Sequence, residues 1–222
     1  MKKLLTAILF LLAAQACVAD DAKKIAITID DLPVASVVDT SMRDKQQITD
    51  RILASLTRHG VEAVGFVNED KIHKKGEVDA GIALLEKWLD AGMELGNHNF
   101  GHLGLWETPP DKYEDAIVRG DVITRWLLSA RGMTPKYYRY PFNQTGNDAR
   151  EKQRIEGFLS SRGYTVAPIS IEHDDYYYAC VYDKLYAQDR RDLEKLTTLY
   201  LEHLSVSIDT FESMGRELFS RR

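Results

Sequence analysis

Five times along this chain, a short run rich in β-branched and aromatic residues gives way to a longer stretch with helical periodicity, and the connections tend to close on glycine. Few features restrict a fold so tightly. Strands and helices that alternate with short connections pack as a parallel sheet with right-handed crossovers, either open or closed into a barrel. The first strand is read over Lys24–Asp31, where alternation ends in two acids. Ile48, Ile52, Leu53 and Leu56 predict a helix over 43–58, closed by His59-Gly60. A strand at Val61–Val67, a helix from Asp79 to Asp90 and a short strand at Met93–Gly96 follow. Pro109-Pro110 introduces a helix from about Asp111 to Ala130, and Tyr137–Phe142 is the fourth strand, its pairing limited by Pro141. Another helix ends at Arg162-Gly163, and Tyr164–Ile171 makes the fifth strand. From about Tyr177 to Arg222 the pattern is one or two helices. No repeat, low-complexity tract or linker interrupts the series, so one domain is expected over 20–222.

In a parallel sheet the C-terminal tips of all the strands share one rim. The residues at these tips are Asp30-Asp31, His98 and His102, Arg139, and Glu172 with Asp174-Asp175. The opposite rim carries no comparable set. Two imidazoles and a carboxylate leave coordination positions free for water and substrate, unlike a structural ion closed by four protein ligands. Asp31 is read as the third ligand beside His98 and His102. Asp30 is then the base, accepting a proton from a water whose pKa the ion has lowered. Adjacent strand residues point to opposite faces, so only one of the two acids can coordinate unless the strand ends there. A competing reading places the His98-to-His102 spacing inside a helix of another fold, with Asp31 far away.

The strings Thr28-Ile29-Asp30-Asp31, His98-Asn99-Phe100-Gly101-His102 and Arg139-Tyr140-Pro141-Phe142 resemble, in order and spacing, the first three motifs of the polysaccharide deacetylase family, carbohydrate esterase family four. The resemblance covers about residues 24–180. It implies an α/β fold, a distorted (β/α) barrel, and metal-dependent hydrolysis of an N- or O-acetyl group on a sugar. By the same match Asp30 is implied as base, Asp31, His98 and His102 as ligands of a divalent ion, zinc before others, and Arg139 as the residue that orients the base. The backbone N–H of Phe142 is implied as an oxyanion donor. Asp175-Tyr176 is similar to the fourth motif, whose acid tethers the arginine, so an Asp175–Arg139 pairing is expected; Tyr176 stands where tryptophan is usual. The fifth motif, an apolar strand ending Leu-x-His that supplies a general acid, has no counterpart. Leu201-Glu202-His203 matches only superficially, because it lies in a helical stretch. The barrel is therefore expected to be incomplete at its C-terminal side. Trp106 either stacks a sugar ring or fills the core.

Lys2-Lys3, the apolar run Leu4–Ala14 and small residues to Ala19 read as a secretory signal peptide over 1–19. That run is shorter than the ~20 residues of a membrane span, so no stable insertion is expected after cleavage. The expected location is periplasmic or secreted, with a lipoprotein anchored at Cys17 as the alternative. Basic and acidic residues, 29 and 34, are mixed along the chain with no polybasic block, which argues against a nucleic-acid partner. The expected partner is an acetylated glycan, and the oligomeric state is left open. Two functions remain: a sugar deacetylase, or a vestigial carbohydrate-binding domain with impaired catalysis because the acid strand is missing.

Overall fold

The structure is a computed structural model that describes residues 24–36, 40–188 and 190–219. The leader read over 1–19, with Cys17, lies outside the described residues. The elements run β1 (Ile27–Leu32), α1 (Met42–Arg58), β2 (Ala63–Val67), α2 (Val78–Asp90), β3 (Glu94–Asn97), α3 (Pro110–Arg119), α4 (Val122–Ser129), β4 (Tyr137–Tyr138), α5 (Ala149–Ser161), β5 (Thr165–Val166), α6 (Asp175–Gln188) and α7 (Leu193–Phe219). Short 3-10 turns follow β2 at Glu69–Ile72 and β4 at Pro141–Asn143.

Local chemistry sets the helix starts. Ser41 accepts the Asp44 N–H at 3.2 Å and Asp148 accepts that of Glu151 at 2.8 Å, each satisfying an otherwise orphaned donor and contributing roughly 1 kcal/mol. The N-terminus of α4 is capped from a distance. Glu69, fully buried, accepts from Ile123 N at 3.0 Å and Thr124 N at 2.6 Å. Burial pushes its carboxyl up, while the two backbone N–H bonds pull it back. That contact ties the turn after β2 to α4.

All five strands are parallel, in the order β1-β2-β3-β4-β5. The α/β class with a parallel sheet is as expected, and among the described residues β1 and β5 stand at opposite edges. One core cluster packs Leu32, Val67 and Leu95 of the sheet against Leu53, Leu85, Trp88 and Leu127 of the helices. A second surrounds Tyr138 and Tyr164 with Tyr113, Ile117, Ile155 and Leu159. Each such side chain, fully buried, stabilises the fold by roughly 1.5–3 kcal/mol. Among the described residues, no helix is long and apolar enough to cross a membrane.

Three boundaries differ from expectation. The helix expected over 111–130 is two helices, α3 and α4. At Gly120 the chain passes so close to the Asn99–Phe100 peptide that an added Cβ would lie 2.8 Å from Asn99 C and Phe100 N. Beside it, Asp121 turns inward to meet Arg125 at 2.6 Å, Tyr164 Oη at 2.8 Å and Arg162 at 3.1 Å. Strands β4 and β5 have two residues each, far fewer than read from sequence. The Arg139 carbonyl leaves the ladder to meet His98 Nδ1 at 2.9 Å, and Pro141 and Pro168 have no N–H to continue pairing.

Candidate metal centre

The parallel sheet delivers its rim residues to one place. The pairing of β1 with β2 shifts register between Ile29 and Leu32, and Asp31 there adopts a left-handed backbone, φ 65. Alternation is broken at that point, so both acids face the imidazoles. Asp30 Oδ2 lies 3.9 Å from His98 Nε2, and Asp31 Oδ2 lies 3.8 Å from His102 Nε2.

The histidines sit on a loop, not a helix. Asn97 Oδ1 accepts the Asn99 N–H at 2.6 Å, while its Nδ2 donates to the Ile117 carbonyl at 2.9 Å and to Tyr164 Oη at 3.2 Å. Asn99, at φ 60, closes the loop by bonding both backbone groups of Leu103. Gly101 N donates to Asn68 Oδ1 at 3.1 Å. The chain thereby folds back on itself, and the two imidazole rings stand 4.9 Å apart. This geometry removes the reading in which the pair belongs to a helix remote from Asp31.

One ligand atom each from Asp31, His98 and His102 lies within 4.8 Å of the others, and the triad could hold a metal ion. The donor set fits zinc or a similar ion, which favours neutral imidazole and carboxylate. His98 is 2 % exposed, and its burial lowers the imidazole pKa, as burial does for His102. Both rings are thus kept in the neutral form that ligation requires. The Arg139 carbonyl takes His98 Nδ1, which turns Nε2 toward the acids, an orienting contact common behind ligating histidines.

Arg139 is buried, with one guanidinium nitrogen 3.5 Å from Asp30 Oδ2, another donating to Thr28 Oγ1 at 3.2 Å, and its plane 4.7 Å from the Phe66 ring centre. Desolvation pushes the Asp30 carboxyl up to about 6, with Asp31 and Asp175 adding to the rise and Arg139 and His102 opposing it. Asp30 Oδ1 is buried without a hydrogen-bond partner, as is Arg139 Nε.

The remaining expected residues fare differently. Phe142 has a left-handed backbone, φ 55, and its ring lies against His102 at 4.4 Å. The bonds of its turn are donated by Asn143 and Gln144, which leaves the Phe142 N–H outside them. Asp175 makes no ion pair with Arg139, contrary to expectation. It opens α6 at the surface, just after Asp174 at φ 52, and the guanidinium is taken by Asp30. Glu172 and Asp175 reach the site only through their fields, on Arg139 and Asp30 respectively. His203 lies inside α7, as read, and pairs with Asp174 at 3.4 Å. Trp106 is 57 % exposed and fills no core; its N–H donates to Gln144 and its carbonyl accepts from Asn147, tying the loop after His102 to the loop after Phe142.

Sequence reading missed Asn68 and Lys71, which approach Asp31 Oδ1 at 3.5 and 3.2 Å. The shared rim was the available signal for Asn68, since it stands one residue past the tip of β2.

A family model for polysaccharide deacetylases matches residues 18–159. Among solved structures, a family 4 carbohydrate esterase from Streptomyces lividans, in complex with acetate, is 20% identical, with TM-score 0.50 over 69% of this chain and 66% of its own. The chitin deacetylase of the fungal pathogen Colletotrichum lindemuthianum is 22% identical, with TM-score 0.50 over 69% of this chain and 58% of its own. A family 4 pseudoenzyme from Bacillus anthracis is 15% identical, with TM-score 0.52 over 82% and 62%. At these identities the likeness is one of fold. The chain spans 58% to 66% of the length of these three structures. No curated protein sequence matches significantly.

Proposed function

Because this chain belongs to the polysaccharide deacetylase family, we propose that it is a metal-dependent hydrolase that removes acetyl groups from an acetylated sugar or polysaccharide. One observation carries the reading: Asp31, His98 and His102 converge within 4.8 Å, with Asp30 beside them. In this reading those three residues hold a divalent ion, zinc first. When bound, such an ion supplies Lewis acidity, polarising a carbonyl and lowering the pKa of water toward neutrality.

The protein's own groups do the rest. Asp30 accepts the proton of the attacking water through its carboxylate, whose Oδ2 faces the His98 imidazole. A carboxyl near pH 6 is ionised at neutral pH yet basic enough to take a proton, and once protonated it is matched to return one to the leaving nitrogen or oxygen. Arg139 lies 3.5 Å from that carboxylate and steadies it. The Phe142 N–H donates to the oxyanion that develops on the acetyl group. Phe142, exposed with its ring against His102, and Trp106, exposed on the loop after His102, offer surfaces for a sugar ring. The leader read over residues 1–19 supports work outside the cytoplasm, in the periplasm or as a secreted protein.

A second reading, a glycan-binding domain with impaired catalysis, is favoured by the missing Asp175–Arg139 contact. Acetate release from acetylated chito-oligosaccharides and acetylxylan, measured with and without zinc, separates the two. Turnover that needs the ion and drops by ~10²–10⁴ in Asp30→Ala supports the hydrolase. A chain that binds zinc and glycan but releases no acetate supports the second reading, and one that binds no zinc overturns both.

A further inference from the structure

Lys71 stands at the site without a part in the reaction just described. Its ammonium lies 3.2 Å from Asp31 Oδ1 and 3.4 Å from the Val34 carbonyl. Its place is fixed by the turn that carries it, because Glu69 caps α4 on one side and Ile72, 1 % exposed, is sunk in the core on the other. Asn68 Nδ2 approaches the same Asp31 oxygen at 3.5 Å, and Asn68 in turn accepts from Gly101 of the histidine loop. The carboxylate is therefore divided. Oδ1 meets a cation belonging to the protein, and Oδ2 faces His102.

We propose that Lys71 is a positioning residue of the metal centre: it keeps Asp31 Oδ1 engaged so that Oδ2 alone is offered to an ion, and its fixed positive charge sets divalent-ion affinity below what the same three ligands would otherwise give. The inference rests on the reading that Asp31, His98 and His102 bind the ion. Without an ion, Lys71 serves as counter-charge to an acid set in a partly buried, left-handed position, so the site stays assembled. With an ion present, the same ammonium is a like charge one carboxylate away. It repels the dication across a partly buried site, where solvent screens poorly. The result is an ion held firmly enough to be used but open to exchange.

The test is zinc affinity, measured by competition with a chromophoric chelator on the full chain and on Lys71→Met, which keeps the apolar stem, Lys71→Gln and Lys71→Arg. Lys71→Met and Lys71→Gln should bind zinc about tenfold more tightly, a change of the size that groups behind metal ligands make, whereas Lys71→Arg stays within about twofold of the parent. With cobalt(II) as the probe, the visible bands of Lys71→Met should weaken as the freed Oδ1 raises the coordination number, and those of Lys71→Arg should not change. Equal or weaker zinc binding in both neutral variants overturns the charge argument, and unchanged cobalt bands overturn the positioning. His102→Ala is the control that separates this inference from the one beneath it. If the parent chain binds zinc no better than His102→Ala, the metal reading has failed; if His102→Ala loses zinc and the lysine variants match the parent, only the role of Lys71 has.

Discussion

Asp30 is held in a state the fold does not favour. Its carboxyl is raised to about 6 chiefly by burial, which disfavours the charged form, and the nearby Arg139 offsets only part of that. The sign for stability follows from linkage. In an unfolded chain the group titrates near its ordinary 3.8, so between about pH 4 and 6 the folded chain binds more protons than the unfolded one, and stability falls as pH rises through that window. Above it the penalty is constant. In chelator-treated protein, Asp30→Asn should therefore melt higher than the parent at pH 7.5 by about 2–4 °C, the shift that ~1 kcal/mol makes in a chain of this size, with the gain shrinking toward pH 4. A thermal scan across pH checks this, and a variant that melts lower at pH 7.5 shows that Arg139, not burial, dominates. That two adjacent acids follow a strand was legible in the sequence. Their assignment to one site was read there too, but the register shift and the left-handed turn at Asp31 that let both side chains face it were not, because they depend on how β1 pairs with β2.

At the scale of elements, the site depends on how closely backbone passes backbone. Gly96 lies in β3 where a Cβ would meet the Phe66 ring at 2.6 Å and the Tyr137 carbonyl at 2.9 Å. Gly120 brings the end of α3 against the histidine loop at Asn99 and Phe100, and only backbone surrounds it within 3 Å. Because main-chain atoms cannot swing aside, Gly120→Ala should displace the loop between His98 and His102. Its expected cost is about 1–3 kcal/mol of stability, as for other overpacked sites, together with weakened zinc binding, read by chemical melts and chelator competition. Full retention of both would show that the loop yields without moving its ligands. Helix and strand runs as long as α1, β2 and α2 were read to within two residues, since each pattern repeats over a whole face. The break between α3 and α4 escaped because helical periodicity continues across it, and the buried Asp121 that enforces it takes partners 41 and 43 residues away in Arg162 and Tyr164.

Across the whole molecule, stability and function are unevenly spread. The sheet from β1 to β3 with α1, α2 and α4 encloses the larger core. By contrast, α6 buries no residue completely, α7 buries only Ser207, and the two helices pack mainly on each other. Amide exchange should reflect this, with β2, β3 and α2 protected at least about a hundredfold more than α6 and α7, since local opening is easiest where few apolar contacts are lost. Equal protection would mean that the helical pair unfolds only with the core. The sequence by itself determined the alternation of strands and helices, hence a parallel sheet, and it placed Asp30, Asp31, His98, His102 and Arg139 on one rim, because periodicity and strand polarity are local properties of the chain. Only the tertiary structure decided how those groups meet: that Asp175 stays clear of the arginine, that Asn97, Asn99 and Asn68 shape the histidine loop, and that Lys71 comes to rest on Asp31. Those choices turn on contacts between distant segments, where burial and competition among charged partners, rather than any pattern along the chain, select the pairing.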